Sequence, residues 1–246
     1  MEIEFIKDKV YYKIFDKTNT VSSGKYSKHK AEHAAILAEI QKNIDTIKDK
    51  YSAHELVILK QVHGTKIIDA GDIDHKAHQE QEADGSITTK KNVALGILTA
   101  DCVPVLLASS DGSVIGAAHC GWKSAKNNII KELHNKMQQR GAKDIKALIG
   151  PAIQQKSYEV DEAYYQNFIN DGTEYKKFFI PSNNQNHYMF DLPAYVRAKI
   201  EQENIEIKVI INDDTYELED KYPSFRRCTH RNEKYSQNIL STIIIR

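Results

Sequence analysis

Three short segments constrain this chain most: Gln61-Val62-His63-Gly64, Thr99-Ala100-Asp101-Cys102 and Ala118-His119-Cys120-Gly121-Trp122 place two imidazoles and a thiol at apparent strand ends. Soft and borderline ligands grouped in this way imply one transition-metal site assembled by folding, not by a local loop. The wide spacing of His63, Cys102 and His119 belongs to neither a zinc finger nor a zinc ribbon. Three protein ligands leave one coordination position open, the arrangement of a catalytic zinc. A lone His or Cys is more often packed or solvated, but Gly64, Gly116 and Gly121 flank the histidines and permit close approach of backbone or ligand. If the segment is extended, Asp101 and Cys102 point to opposite faces, and one of them needs a buried partner. By the same alternation Cys120 points away from His119 and reads as a packing residue, not a ligand.

Periodicity predicts mixed α and β elements. Residues 28–49 carry Ala34, Leu37, Ala38, Ile40, Ile44 and Ile47 at near-helical spacing. Leu56–Leu59, Val93–Leu98, Val103–Ala108 and Val114–Ala118 read as strands, the last two joined by a hairpin turn over 109–113. A helix follows with Ser124 as N-cap, Ile129, Ile130, Leu133 and Met137 as its apolar stripe, and Gly141 as its stop. Ile145–Ile149 and Ile205–Ile211 are further strands, and Ala163–Ile169 and Pro193–Glu203 further helices. With 5 Pro and 11 Gly scattered along the chain, no linker divides it. The expectation is one α/β domain over residues 1–246 with a central mixed sheet.

Lys plus Arg equals Asp plus Glu at 34 each among 246 residues, so no net field favours nucleic acid or an anionic membrane. Three cysteines, an odd number, and an N-terminus without a cationic segment leading into an apolar run argue against a secreted disulfide scaffold. No run approaches the ~18 apolar residues that span a bilayer. A cytoplasmic enzyme acting on a small molecule, as a monomer or weak homo-oligomer, is expected.

The ordered motifs carry a resemblance. Gln61-Val62-His63-Gly64, then Ala83-Asp84-Gly85 with Thr88, then the segment from Thr99 to Ala108, then the His119 segment, then Ile149-Gly150-Pro151-Ala152-Ile153 with Tyr158-Glu159-Val160 together resemble the YfiH-like family, once called multicopper polyphenol oxidoreductases or laccases. A weaker match runs through Phe190-Asp191-Leu192 to Ser224-Phe225-Arg226-Arg227. The resemblance implies a zinc held by His63, Cys102 and His119, and a layered fold like the catalytic domain of cytotoxic necrotizing factor. It also implies a purine nucleoside enzyme that phosphorolyses adenosine, inosine and methylthioadenosine and deaminates adenosine. Departures are local: Tyr26-Ser27-Lys28-His29-Lys30 stands where the family has Ser-Leu-Asn-Leu, Cys120 replaces a small residue, and Cys228 follows the Arg pair where an acidic residue is usual.

On this reading Cys102, His119, Asp101 and Asp84 form the catalytic set, the two carboxylates moving protons or holding the ribose. Gln61, Trp122, Arg226 and Arg227 are the substrate-binding candidates. A guanidinium fork suits phosphate oxygens; a basic pair near a C-terminus is more often a solvated face, but the resemblance, in which a paired Arg lies in this segment, favours a functional role. Trp122, the one Trp, either walls the pocket or packs in the core. Three alternatives come from other classes. A cysteine hydrolase editing peptidoglycan precursors would use Cys102 and His119. A copper-dependent polyphenol oxidase would need many more histidine ligands. The third is a non-catalytic metal binder.

Overall fold

The structure is a computed structural model and describes residues 3–17, 42, 45–46, 48–49, 52–71, 81–234 and 237–246. The helix expected over 28–49 lies outside the described residues except for a few positions near its end, and Tyr26–Lys30 lies outside them entirely. In chain order the strands are β1 (Ile3–Ile6), β2 (Val10–Ile14), β3 (Glu55–Ile58), β4 (Ile67–Asp69), β5 (Gly85–Thr88), β6 (Val93–Thr99), β7 (Val103–Ala108) and β8 (Ile115–Cys120). After them come helices α1 (Trp122–Lys126) and α2 (Ile129–Gln139), β9 (Lys146–Ile149), β10 (Glu159–Asp161), α3 (Glu162–Ile169), β11 (Phe179–Pro181) and β12 (His187–Phe190). The chain closes with α4 (Leu192–Gln202), β13 (Glu206–Ile210), α5 (Phe225–His230) and β14 (Ile239–Ile245).

The expected mixed α/β fold is present, with the mixed pairing divided between two large sheets. One has the order β1-β2-β14-β6-β3, the other β13-β9-β7-β8-β5-β4, and β10-β12-β11 form a small third sheet. The sequence of β7 shows why the layers stack: every residue is buried, as in a strand covered on both faces. Leu106 and Ala108 join Leu95, Ile97, Ile243 and Ile245 between the two large sheets. Val103, Val105 and Leu107 face the opposite way, against Leu133 and Met137 of α2 and Tyr195, Val196 and Ile200 of α4. Truncating a residue such as Leu106 to Ala would cost about 2–5 kcal/mol.

The stop at Gly141 is as expected, since it follows α2 with φ +87°. Ser124 is not the cap. The helical region starts directly after Gly121 and breaks at Asn127-Asn128, and Ser124 sits inside α1 with its hydroxyl donating to the carbonyls of His119 (2.9 Å) and Gly121 (3.1 Å). The hydroxyl thus ties α1 back to the strand that precedes it. Among the described residues no helix is long and apolar enough to cross a membrane.

The chain passes from the first large sheet to the second between β3 and β4 and again between β6 and β7, and it returns between β5 and β6 and between β13 and β14. These crossings bring together residues distant in sequence.

Candidate active site

His63 lies in the β3–β4 crossing, Cys102 in the β6–β7 crossing and His119 at the end of β8, where Pro104 is its partner on β7. Their ligating atoms all lie within 4.8 Å of one another, with Cys102 Sγ 3.9 Å from His63 Nε2. The imidazoles meet edge to face at 4.7 Å between centroids. Among the described residues this is the one group of three or more His, Cys, Asp or Glu side chains within metal-holding distance. Gly121 makes the convergence possible: a Cβ there would come within 2.7 Å of His63 Cδ2 and 3.2 Å of Cys102 Sγ.

Asp84 organises two of the three. It is fully buried just before β5. Its Oδ1 lies 2.8 Å from His119 Nδ1 and accepts the amide hydrogen of His63 (2.8 Å), while Oδ2 accepts those of Val62 (3.1 Å) and Gly64 (2.7 Å). This nest holds His63 at φ 60°, a left-handed conformation that a β-carbon residue adopts only at a cost. A carboxylate on Nδ1 fixes the ring and, in the neutral imidazole, leaves Nε2 as the lone-pair nitrogen.

Burial alone would raise the Asp84 carboxyl, but the His119 hydrogen bond and charge, with the Gly64 and Val62 amides, hold it below its usual range. Burial raises the Cys102 thiol too, yet the charge of His119 and hydrogen bonds from His119 and His63 bring it down to about 7. His119 is disfavoured as a cation by burial, but Cys102 and Asp84 lift it to about 9. Two imidazoles and an acidified thiol, one imidazole oriented by a carboxylate, are a donor set that fits a transition metal. Cys120 is fully buried in the helix-facing core beside Val103 and Ala125, and burial pushes its thiol well above the usual value.

Asp101 does not lie in an extended segment: it turns with φ 85°. Its buried carboxylate accepts from Thr215 Oγ1 (2.8 Å), Ser224 Oγ (3.0 Å) and the Arg226 amide (2.6 Å), and its carbonyl accepts from the Ile153 amide (3.0 Å). Burial keeps this carboxyl above its ordinary value despite those donors. The residue thereby locks the β6–β7 crossing to the β13–β14 return.

The binding candidates separate. Arg226 donates from Nη1 to the Glu159 carbonyl at 2.8 Å and lies over the Tyr158 ring, its Cζ 5.0 Å from the centroid. Arg227 faces inward and donates to the carbonyls of Thr215, Tyr216 and Tyr222 at 2.7–2.8 Å, so its fork is occupied by backbone. Gln61 uses both ends of its amide on the Leu98 backbone (2.6 and 2.8 Å), zipping the His63 segment to β6. Trp122 packs at 5.0 Å from Tyr164, whose hydroxyl lies 3.4 Å from that of Tyr158. Sequence reasoning missed Tyr164 and Thr215 as neighbours of the site. Tyr158 and Ser224 were legible as parts of motifs, without a role.

These features define a class. The chain belongs to the family described as multi-copper polyphenol oxidoreductase laccase, which it matches over residues 12–244. More particularly, it is 49% identical over 241 residues to a purine nucleoside phosphorylase of Rickettsia conorii, covering 98% of both chains, and 48% identical over 246 residues to one of Rickettsia prowazekii, covering 100% of both. In fold it is similar to a Neisseria meningitidis protein of the DUF152 family (TM-score 0.80, 22% identity, 100% of this chain and 98% of that one). It is similar also to the Bacillus licheniformis protein YfiH (TM-score 0.79, 23% identity, 96% and 93%).

Proposed function

We propose that this chain is a zinc-dependent purine nucleoside enzyme that phosphorolyses adenosine, inosine and methylthioadenosine and deaminates adenosine. The observation that supports it best is the meeting of His63, Cys102 and His119 within 4.8 Å, with Asp84 behind His119, in a chain so similar to the Rickettsia phosphorylases along its whole length. The sulfur donor also suits copper, but one three-ligand group among the described residues is too few for the several coppers of a laccase. Zinc held by His63, Cys102 and His119 would supply Lewis acidity towards an oxygen of water or phosphate.

The side chains do the rest. Asp84 keeps the His119 Nδ1 proton in place and the His63 loop closed. Asp101 sets the backbone from which Arg226 reaches, and Arg226 seats phosphate with its unpaired N–H groups. In phosphorolysis a phosphate oxygen bonds to the ribose C1′ as the bond from C1′ to the base nitrogen breaks and its electron pair leaves with the base. In deamination a water oxygen bonds to the purine C6 and ammonia departs. Trp122 and the tyrosines beside it offer aromatic faces to a planar base. We assign the enzyme to the cytoplasm, as a monomer or weak homo-oligomer.

A second reading, a cysteine hydrolase, is favoured by one observation: the Cys102 thiol, brought down to about 7, stands beside a histidine that a carboxylate orients. Chromatography of adenosine, inosine and methylthioadenosine reactions, with and without phosphate, decides between them. Adenine and ribose phosphate appearing only with phosphate, and inosine with ammonia appearing without it, are the expected products. Zinc-loaded protein that turns over no nucleoside but hydrolyses amides through Cys102 would overturn the proposal.

A further inference from the structure

Arg226 is a half-buried cation with an unusual environment. Among the described residues no carboxylate oxygen makes an ion pair with its guanidinium, whose direct contacts are the Glu159 carbonyl and the face of Tyr158. The Asp101 and Glu159 carboxylates act on it only from further away. The guanidinium N–H groups that these contacts leave over are suited to an anion. Beside it stand two phenols whose hydroxyl oxygens are 3.4 Å apart, each the other's one hydrogen-bond partner among the described residues. Two hydroxyl hydrogens and one shared contact leave one O–H without an acceptor. Both phenols remain neutral donors, because burial raises them. Arg226 is held by its amide on the carboxylate of Asp101, the residue before Cys102, while its guanidinium lies over Tyr158, so the phenol pair and the cation sit at the Cys102 end of the site.

We propose that the Tyr158–Tyr164 hydroxyl pair donates its spare O–H to a phosphate oxygen forked on Arg226, so that guanidinium and phenols form one oxyanion subsite beside Cys102. The proposal deepens the phosphorylase reading and rests on it for the identity of the anion, but binding itself needs no turnover. Either phenol is able to supply the donor: with one hydroxyl removed, the other loses its partner and its hydrogen is free to turn to the ligand. The pair therefore has a non-additive signature that an ordinary packing role lacks.

Trp122, 5.0 Å from Tyr164 and the only Trp in the chain, is the reporter. Inorganic phosphate is titrated into the zinc-loaded full-length protein, followed by Trp122 fluorescence and by calorimetry, for wild type, Tyr158→Phe, Tyr164→Phe, the double variant and Arg226→Met. Each single Phe variant should bind phosphate within about threefold of wild type, and the double variant and Arg226→Met at least about tenfold more weakly, as for loss of a bond to a charged group. In turnover the double variant should raise KM for phosphate by a similar factor and leave KM for inosine within about twofold. The Phe changes remove only oxygen atoms, and circular dichroism verifies that they leave the fold intact. Unchanged phosphate affinity in the double variant, or no phosphate binding by wild type, overturns the subsite. Phosphate binding with the expected variant pattern but no nucleoside turnover supports the subsite and overturns the phosphorylase reading alone.

Discussion

Asp84 Oδ1 lies 2.8 Å from His119 Nδ1, and the same carboxylate accepts the amide hydrogens of Val62, His63 and Gly64. One side chain thus aims one imidazole through its ring and another through its backbone. Asp84→Asn keeps the shape but turns a donor towards donors, so zinc affinity should fall by about 10–100-fold, the usual effect of losing such an orienting partner. Competition with a chromogenic chelator measures it. Wild-type affinity would show that the carboxylate does not orient the ligands.

The three donors themselves predict one zinc per chain. Elemental analysis of protein purified without added metal should show it in wild type and Cys120→Ala, and lose it in His63→Ala and Cys102→Ser. Cys120 is buried in the helix-facing core, so its truncation should cost about 1 kcal/mol of stability and no metal. Full zinc in both ligand variants would remove the site; zinc lost from Cys120→Ala would redraw it.

Gly121 is required by space and not by backbone angle. A methyl group there would meet His63 Cδ2 at 2.7 Å and Cys102 Sγ at 3.2 Å. Gly121→Ala should push two ligands apart and weaken zinc binding by about tenfold or more, while overpacking costs about 1–3 kcal/mol of stability. Chelator competition beside thermal unfolding separates the two effects, and unchanged zinc affinity is the contrary result.

The adjacent arginines should behave differently. Arg227→Met leaves the carbonyls of Thr215, Tyr216 and Tyr222 without their donor, and should lower stability by about 3 kcal/mol or more. Arg226→Met should change stability far less and act on phosphate. Urea denaturation of both variants checks this; equal losses would mean that Arg226 is also a structural residue.

The β7–β8 turn carries a pH dependence. Asp111 accepts from the Ser109 hydroxyl and from the amide and hydroxyl of Ser113, and these bonds hold its carboxyl down to about 2, from an ordinary 3.8. A depressed folded-state value means that the turn's contribution is fully present above pH 3.8 and is lost as pH falls towards 2. Wild type and Asp111→Ala should therefore differ in urea midpoint at pH 6 and converge near pH 2. A constant difference across that window would contradict the assignment.

Much of the middle of the chain was legible in its residues. β7 coincides with the expected Val103–Ala108, and strand β8 and helices α3 and α4 fall within a residue or two of expectation, because hydrophobic spacing and turn residues are local signals. The position of Cys120 also followed from alternation along β8, and His63, Cys102 and His119 from their donor chemistry. Val10–Ile14 and Ile239–Ile245, outside the expected elements, pair with each other, and Ile239–Ile245 pairs in turn with β6 at the centre of the first large sheet. That pairing joins the two ends of the chain, which no local pattern records.

What the sequence determined by itself was therefore the kind of donors present and the local elements that carry them. Tertiary structure decided what each neighbour does. Asp101 and Asp84 looked alike beside their motifs, yet one binds Thr215, Ser224 and the Arg226 amide while the other holds His119 and the His63 loop. Arg226 and Arg227 are consecutive, yet only Arg226 lies over Tyr158, because on the short helix α5 adjacent side chains point in different directions and the 213–222 segment wraps one of them. Those distinctions come from where the chain crosses between its two sheets. Crossings are fixed by burial of both sheet faces across the whole fold, not by any short run of residues.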